Sequence, residues 1–149
     1  MEKTVVALAS SSDVDDILEL EQACFGIDAF SRVQIAYLVK QSKGIFLLAK
    51  IEGELAGYLS FLTNDGTHNG RVYSIAVSPD YRGQGVAQLL IDEMFDYARG
   101  RQLKSIFLEV RVSNMFAIAL YEKNGFVKRK LKEYYYDDGE SAYSMMVSC

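Results

Sequence analysis

The chain has 149 residues, 50% hydrophobic and 24% charged, with 16 Lys and Arg against 20 Asp and Glu. At this length roughly 70% of the unfolded surface can be buried, so one domain spanning residues 1–149 needs no metal or disulfide to hold a core. A formal charge of -4 argues against a broad basic face for nucleic acid, and two cysteines with one histidine cannot build a disulfide framework or a Cys/His zinc site.

Met1-Glu2-Lys3 leads into the apolar run Val5 to Ala9, which is too short for a signal peptide. A cytoplasmic protein with no membrane partner is expected. Thr4 to Leu8 reads as a strand, and Ser12 with Asp13, Asp15 and Asp16 reads as a helix start, acidic groups lying at the positive end of the helix dipole. Val14, Ile17, Leu18 and Phe25 then share one helical face. Ser31 with Gln34 forms a capping box, flanked by the staple pair Phe30 and Ile35, so a second helix runs from Arg32 to about Lys40. Ile45 to Ile51, Leu55 to Leu62 and Arg71 to Val77 are three consecutive antiparallel strands, separated by Glu52-Gly53 and Asp65-Gly66 turns. After Ser78-Pro79-Asp80-Tyr81 comes a long helix with the apolar face Val86, Leu89, Leu90, Met94 and Tyr97, ending near Gly100. Ser105 to Val110 is a strand, and Asn114 caps a helix that Gly125 ends. A strand from Phe126 to about Tyr136, an Asp138-Gly139 turn and a strand from Ala142 to Val147 complete a mostly antiparallel sheet flanked by helices.

The most informative junction is Val77 to Leu90, where Arg82-Gly83-Gln84-Gly85-Val86-Ala87 runs directly into a helix. Unpaired N–H groups at a helix start carry the positive end of the dipole and suit a phosphate or pyrophosphate. Gly83 and Gly85 let the anion approach, and Arg82 can add a charge-assisted bond. A plain flexible connection is the bland alternative. A P-loop is excluded by the missing Gly-Lys-Ser/Thr. A dinucleotide fingerprint fails at Gln88, and the preceding strands are joined by short turns where a parallel sheet needs crossover helices.

Arg82, Gly85 and Ala87 fill the Arg/Gln-x-x-Gly-x-Gly/Ala loop of the GNAT superfamily of N-acetyltransferases, which the chain resembles over nearly its whole length. Leu108-Glu109-Val110-Arg111-Val112-Ser113-Asn114 and Ala119-Leu120-Tyr121-Glu122-Lys123-Asn124-Gly125-Phe126 are similar to the ribosomal-protein alanine N-acetyltransferase branch. The resemblance implies an α/β (α+β) fold: a twisted mixed sheet of about seven strands, splayed between the fourth and fifth and flanked by about four helices. It implies acetyl-CoA as co-substrate, held by the backbone of Ile75, Ala76 and Val77, by Arg82, Gly83, Gln84, Gly85, Val86, Ala87 and Gln88, and by Asn114. Glu109 is the implied general base, Tyr121 the implied acid toward the departing thiolate, and Tyr134 and Tyr135 the implied substrate contacts. Two departures stand out: Phe25-Gly26-Ile27-Asp28-Ala29-Phe30 occupies a segment where that branch often carries Pro and Trp, and Ser141 stands where an acidic residue is usual.

The reaction so implied moves acetyl from a thioester to the α-amino group of a protein or peptide amino terminus, a ribosomal protein leading by resemblance. An α-amine with a reference pKa near 8 is about one-tenth neutral at pH 7, against about one part in two thousand for lysine. A small amine or lysine acceptor and a non-catalytic CoA-binding module are the alternatives. Plainer roles stand beside each assignment: Glu109 paired with Arg111 or a lysine, Tyr121 as helix packing, Asn114 as cap alone. Lys128-Arg129-Lys130 and Lys132, offset by nearby acids, read as a solvated sheet edge rather than a nucleic-acid contact. His68 reads as an exposed loop residue and Cys24 as helix-face core.

Overall fold

The computed structural model describes residues 3–40, 43–64 and 66–149. Met1 and Glu2 of the amino end and Asp65 of the expected Asp65-Gly66 turn lie outside the described residues. Strand β1 (Thr4–Leu8) leads to a 3-10 turn (Ser11–Asp13) and helix α1 (Val14–Phe25). The start signal is Ser10, not Ser12: the Asp13 carboxylate accepts the Ser10 N–H at 2.8 Å, a reciprocal arrangement that only a three-residue spacing allows. The inward stripe also differs from expectation. Val14, Ile17, Leu20 and Glu21 are buried, whereas Leu18 is half-buried and Phe25 is exposed at the helix end. Helix α2 (Arg32–Lys40) begins as its capping box requires, with Ser31 N–H donating to Gln34 Oε1 at 2.8 Å and Gln34 N–H to Ser31 Oγ at 3.2 Å.

Strands β2 (Gly44–Ile51), β3 (Glu54–Thr63) and β4 (Asn69–Val77) form the expected antiparallel meander. Its decisive irregularity is in β4. Register passes from Ser60↔Ser74 to Phe61↔Val72, so Tyr73 is an extra, bulged residue that bends the strand. The parallel pairing of β4 with β5 (Ser105–Arg111) covers only Asn69–Arg71 against Ser105–Phe107 and stops where the bulge begins. The sheet, ordered β1-β2-β3-β4-β5-β7-β6 with β6 at Val127–Lys132 and β7 at Ala142–Ser148, therefore splays between β4 and β5.

Helix α3 (Val86–Gly100) buries Val86, Leu90, Ile91, Met94 and Ala98; Leu89, expected on this face, is turned outward. Gly57 sets the seat of this helix. A Cβ there would lie 2.8 Å from the Ala76 carbonyl oxygen and 3.0 Å from Val86 Cγ1, so only glycine lets the first turn of α3 settle on β3. Helix α4 (Met115–Lys123) is capped by the Asn114 side chain, which accepts the Ala117 N–H at 3.1 Å. It ends in a Schellman motif, Phe126 N–H to Tyr121 O and Gly125 N–H to Glu122 O, both at 3.0 Å.

Strand β6 (Val127–Lys132) is shorter than the reading to Tyr136, because Tyr134 adopts φ 53° and the chain turns inward before β7 (Ala142–Ser148). β6 is the sheet edge, and its Lys128, Arg129 and Lys130 are exposed as expected. Two cores separate the layers: α3 and α4 cover Leu59, Phe61, Ile106 and Leu108 on one face, while α1 and α2 cover Leu48 and Tyr58 on the other.

Candidate active site

The splay exposes backbone as well as side chains. Ser78 N–H donates to Ala56 O at 2.7 Å, and antiparallel alternation from that pair turns Ala76 toward β3. Ile75 and Val77, opposite Leu59 and Gly57, consequently direct their N–H and C=O groups away from β3, to the side β5 has left. The Val77 carbonyl is engaged there by Arg82 Nε at 3.3 Å and by the half-buried Cys24 thiol at 3.7 Å. Burial pushes that thiol up, which Arg82 opposes.

Between the strands lies a cavity of about 570 Å³. The α1–α2 connection walls one side through Phe25, Ile27, Asp28 and Phe30, and Glu21 lies at its margin. Residues 72–75 and 108–111 form the strand walls. Asn114, Ala117 and Tyr121 come from α4, and residues 135–137 from the β6–β7 connection. Of the residues singled out from sequence, Ile75, Glu109, Asn114, Tyr121 and Tyr135 meet at this cavity. The side chain of Ala76 is buried toward α1 and α2, and Tyr134 is 81% exposed and does not line the cavity. Tyr136 lines it instead, because the left-handed turn at Tyr134 changes which ring faces inward.

The Glu109 side chain, 8% exposed, is clamped by two cations: Arg71 Nη2 on Oε1 and Lys132 Nζ on Oε2, the latter at 3.2 Å. Arg71 also donates to the Tyr135 hydroxyl at 3.3 Å. Of the two partners weighed for Glu109, a lysine is present as Lys132, whereas Arg111 is elsewhere. Standing at the strand end, it reaches Asp138 and Glu140, each at 2.8 Å, and Asp28 at 3.6 Å, and lies 4.0 Å over the Tyr136 ring. It thus ties both lips of the cavity to β5. The Asp138 carboxyl is held below its ordinary range by the Glu140 N–H and then by Arg111, that of Glu140 by Ser113 and then by Arg111.

Tyr121 is buried, its ring 5.7 Å from that of Phe126. Burial pushes its phenol far above the ordinary value, with Tyr136 adding to the shift, so it remains protonated. Among the described residues its hydroxyl has no hydrogen-bond partner, leaving a free donor at the cavity wall.

At the other end of the gap, Gly83 and Gly85 have φ 80° and 78°, and a Cβ on either would meet no atom within 4 Å. The first intrahelical bond of α3 joins Leu89 N–H to Gly85 O at 3.1 Å, leaving the Val86, Ala87 and Gln88 N–H groups without intrahelical acceptors. Open space over free donors beside exposed Arg82 and Gln84 suits a phosphorylated ligand. The Gln88 side chain is otherwise occupied in an amide pair with Asn124, at 2.7 and 3.0 Å, so only its backbone faces this role.

Sequence reasoning missed Glu21, Arg71, Tyr73 and Tyr136, and it weighed Arg111 only as a partner of Glu109, where the structure bonds it to Asp28, Asp138 and Glu140. Only Tyr136 carried a signal, as the third ring of the run Tyr134-Tyr135-Tyr136. Glu21 is 2% exposed; its Oε2 accepts the Phe30 N–H at 2.9 Å and its Oε1 accepts the Tyr58 hydroxyl. Burial pushes its carboxyl up, and the Phe30 N–H pulls it back. Among the described residues no group of three or more His, Cys, Asp or Glu could hold a metal, and no helix is long and apolar enough to cross a membrane.

A mixed sheet splayed at a bulge, with outward amides and a glycine-bearing helix start on one side of the gap and an acid and a phenol on the other, defines an acyl-transfer enzyme. The chain belongs to the acetyltransferase (GNAT) family, whose profile matches residues 14–126, and is an acetyl-CoA-dependent N-acyltransferase. It is 33% identical over 148 residues to an N-alpha-acetyltransferase of Sulfurisphaera tokodaii, covering 92% of this chain and 88% of that one. It is 31% identical to the N-alpha-acetyltransferase RimI of Mycobacterium tuberculosis, covering 97% and 92%. The ribosomal-protein-S18-alanine N-acetyltransferase from Escherichia coli superposes with a TM-score of 0.89 at 26% identity, over 98% of this chain and 94% of that one.

Proposed function

We propose that this chain, as one cytoplasmic domain, transfers acetyl from acetyl-CoA to the α-amino group of a protein or peptide amino terminus, with a ribosomal protein as the favoured acceptor. Its likeness to enzymes named for α-amine acetylation supports that acceptor class. The observation that carries the reading is the gap between β4 and β5, with backbone donors on one wall and Glu109 and Tyr121 on the other. The free N–H groups at the start of α3, with Arg82, hold the pyrophosphate, while the outward backbone of Ile75 and Val77, together with Asn114, receives the rest of the thioester; Ala76, paired with β3 and buried toward α1 and α2, takes no part.

The neutral amine attacks the thioester carbonyl carbon, and the Val77 N–H receives the developing oxyanion; being fixed beforehand, it needs no reorganisation at that moment. Collapse breaks the C–S bond. The Tyr121 hydroxyl donates a hydrogen bond to the sulfur, and because burial raises the phenol it stabilises the thiolate more than it surrenders its proton. Both Glu109 oxygens are engaged by Arg71 and Lys132, so the ammonium proton leaves toward that carboxylate through water. Tyr135 and Tyr136 flank the acceptor.

The test is incubation with acetyl-CoA and a panel of peptides with varied free amino ends, blocked peptides bearing lysine, and small amines, read by fragmentation mass spectrometry. Acetyl on the α-amine, dependent on the first residues, is expected. Acetyl confined to lysine or small amines, or no acetyl at all despite acetyl-CoA binding, overturns the reading.

A further inference from the structure

Glu21 is an anomaly on α1. It completes an otherwise apolar stripe of Val14, Ile17 and Leu20, and as a side chain 2% exposed it gives that packing nothing an apolar residue would not give better. Its placement makes sense through its bonds. Oε2 accepts the N–H of Phe30, the last residue before the capping box of α2; Oε1 accepts the hydroxyl of buried Tyr58 on β3; and that hydroxyl lies 3.2 Å from Ser74 Oγ on β4, next to the bulged Tyr73. Phe30 in turn stacks on Tyr73, ring centroids 5.4 Å apart and planes at 15°. One carboxyl group thereby joins a helix, a cavity-lining connection and two strands at the point where the sheet begins to splay.

The connection has few other restraints. Its 3-10 turn is closed by Ala29 N–H to Gly26 O at 3.1 Å, and its outer tie, Asp28 to Arg111, spans 3.6 Å with Asp28 63% exposed. An exposed pair of that length contributes little in water, whereas a part-buried hydrogen bond to a carboxyl that is itself 2% exposed, whose N–H has no other acceptor among the described residues, is costlier to break. The inner tie is the one that sets the position of this wall.

We propose that Glu21 is the positioning residue of the acceptor side: by holding the Phe30 amide it fixes Ile27, Asp28 and Phe30 against Tyr73, and so fixes the wall along which the first residues of the acceptor lie. This rests on the reading of a peptide acceptor given above. Glu21 acts through Phe30 and takes no part in the transfer itself.

The test compares Glu21→Leu, Glu21→Gln and Tyr58→Phe by amide hydrogen exchange at Phe30 and by steady-state kinetics with a peptide and acetyl-CoA. Glu21→Leu should speed Phe30 exchange and raise the peptide KM by roughly tenfold, the factor one hydrogen bond of about 1.4 kcal/mol carries, while kcat and the acetyl-CoA KM stay within about twofold. Glu21→Gln retains a carbonyl acceptor for Phe30 and should restore both readouts. Should the leucine variant not fold, Tyr58→Phe, which frees one side of the carboxyl, should give the same split to a smaller extent. Unchanged Phe30 exchange in both Glu21→Leu and Tyr58→Phe overturns the proposal, as does an equal rise in the acetyl-CoA KM. A wild type that leaves every peptide unacetylated while the exchange effect persists refutes the acceptor reading and leaves the clamp standing.

Discussion

Tyr121→Phe separates catalysis from packing more cleanly than any other change at this site. The ring is buried and keeps its contact with Phe126 at 5.7 Å, and the hydroxyl it loses has no hydrogen-bond partner among the described residues. Stability should therefore stay within about 0.5 kcal/mol of wild type, since no folded-state bond is broken. In turnover the same hydroxyl faces a sulfur gaining negative charge. A hydrogen bond to a charged group contributes about 1.5–3 kcal/mol, so kcat should fall roughly ten- to hundredfold. Burial holds the phenol protonated far above neutrality, so this ratio should be constant between about pH 6 and 9. The assay is initial-rate release of CoA, followed with a thiol reagent that does not modify the enzyme, beside denaturant unfolding of both proteins. A kcat within twofold of wild type would refute the donor role. A loss of stability larger than the loss of transition-state energy would mean that the hydroxyl serves the fold.

Glu109→Gln is expected to lower kcat while leaving the acetyl-CoA KM unchanged; a kcat within twofold of wild type in rate assays contradicts a role in removing the proton. Its stability cost should be modest, about 1–2 kcal/mol by denaturant unfolding, because the side chains of Arg71 and Lys132 are 43% and 32% exposed and can turn to solvent. Gly85→Ala meets no atom within 4 Å but must hold φ 78°, so about 1–2 kcal/mol of stability should be lost and the acetyl-CoA KM should rise, measured by unfolding and by kinetics. For Glu21 the folded carboxyl titrates above its unfolded value, so its stabilising protonated form is complete below the unfolded value and is lost as pH rises through the folded one. Glu21→Gln should accordingly gain on wild type in urea unfolding as pH rises above the ordinary carboxylate range; a constant difference would contradict the raised carboxyl.

Much of this molecule was legible because it is local. The capping box of Ser31 and Gln34, the Asn114 cap and the Gly125 terminus each depend on residues three or four positions apart, and the structure holds each of them. Short turns and alternating apolar residues likewise announced three antiparallel strands, and the resemblance correctly implied the splay. Periodicity was weaker at choosing among apolar residues on one face: Phe25 and Leu89 fit the spacing yet turn outward, since the neighbour that covers a helix is not written in the helix.

The sequence by itself determined the elements and the helix ends at Ser31, Asn114 and Gly125, and it supplied one acid and one phenol for the proposed centre. Only the tertiary structure decided what those groups meet. Glu109 is bonded across 38 and 23 positions to Arg71 and Lys132, Glu21 across 37 to Tyr58, and the gap opens because Tyr73 is surplus to the pairing of β3 with β4. A carboxylate's partners, and the burial that shifts a phenol, are properties of space around the group, and chain spacing carries no information about that space until the sheet has brought distant segments together.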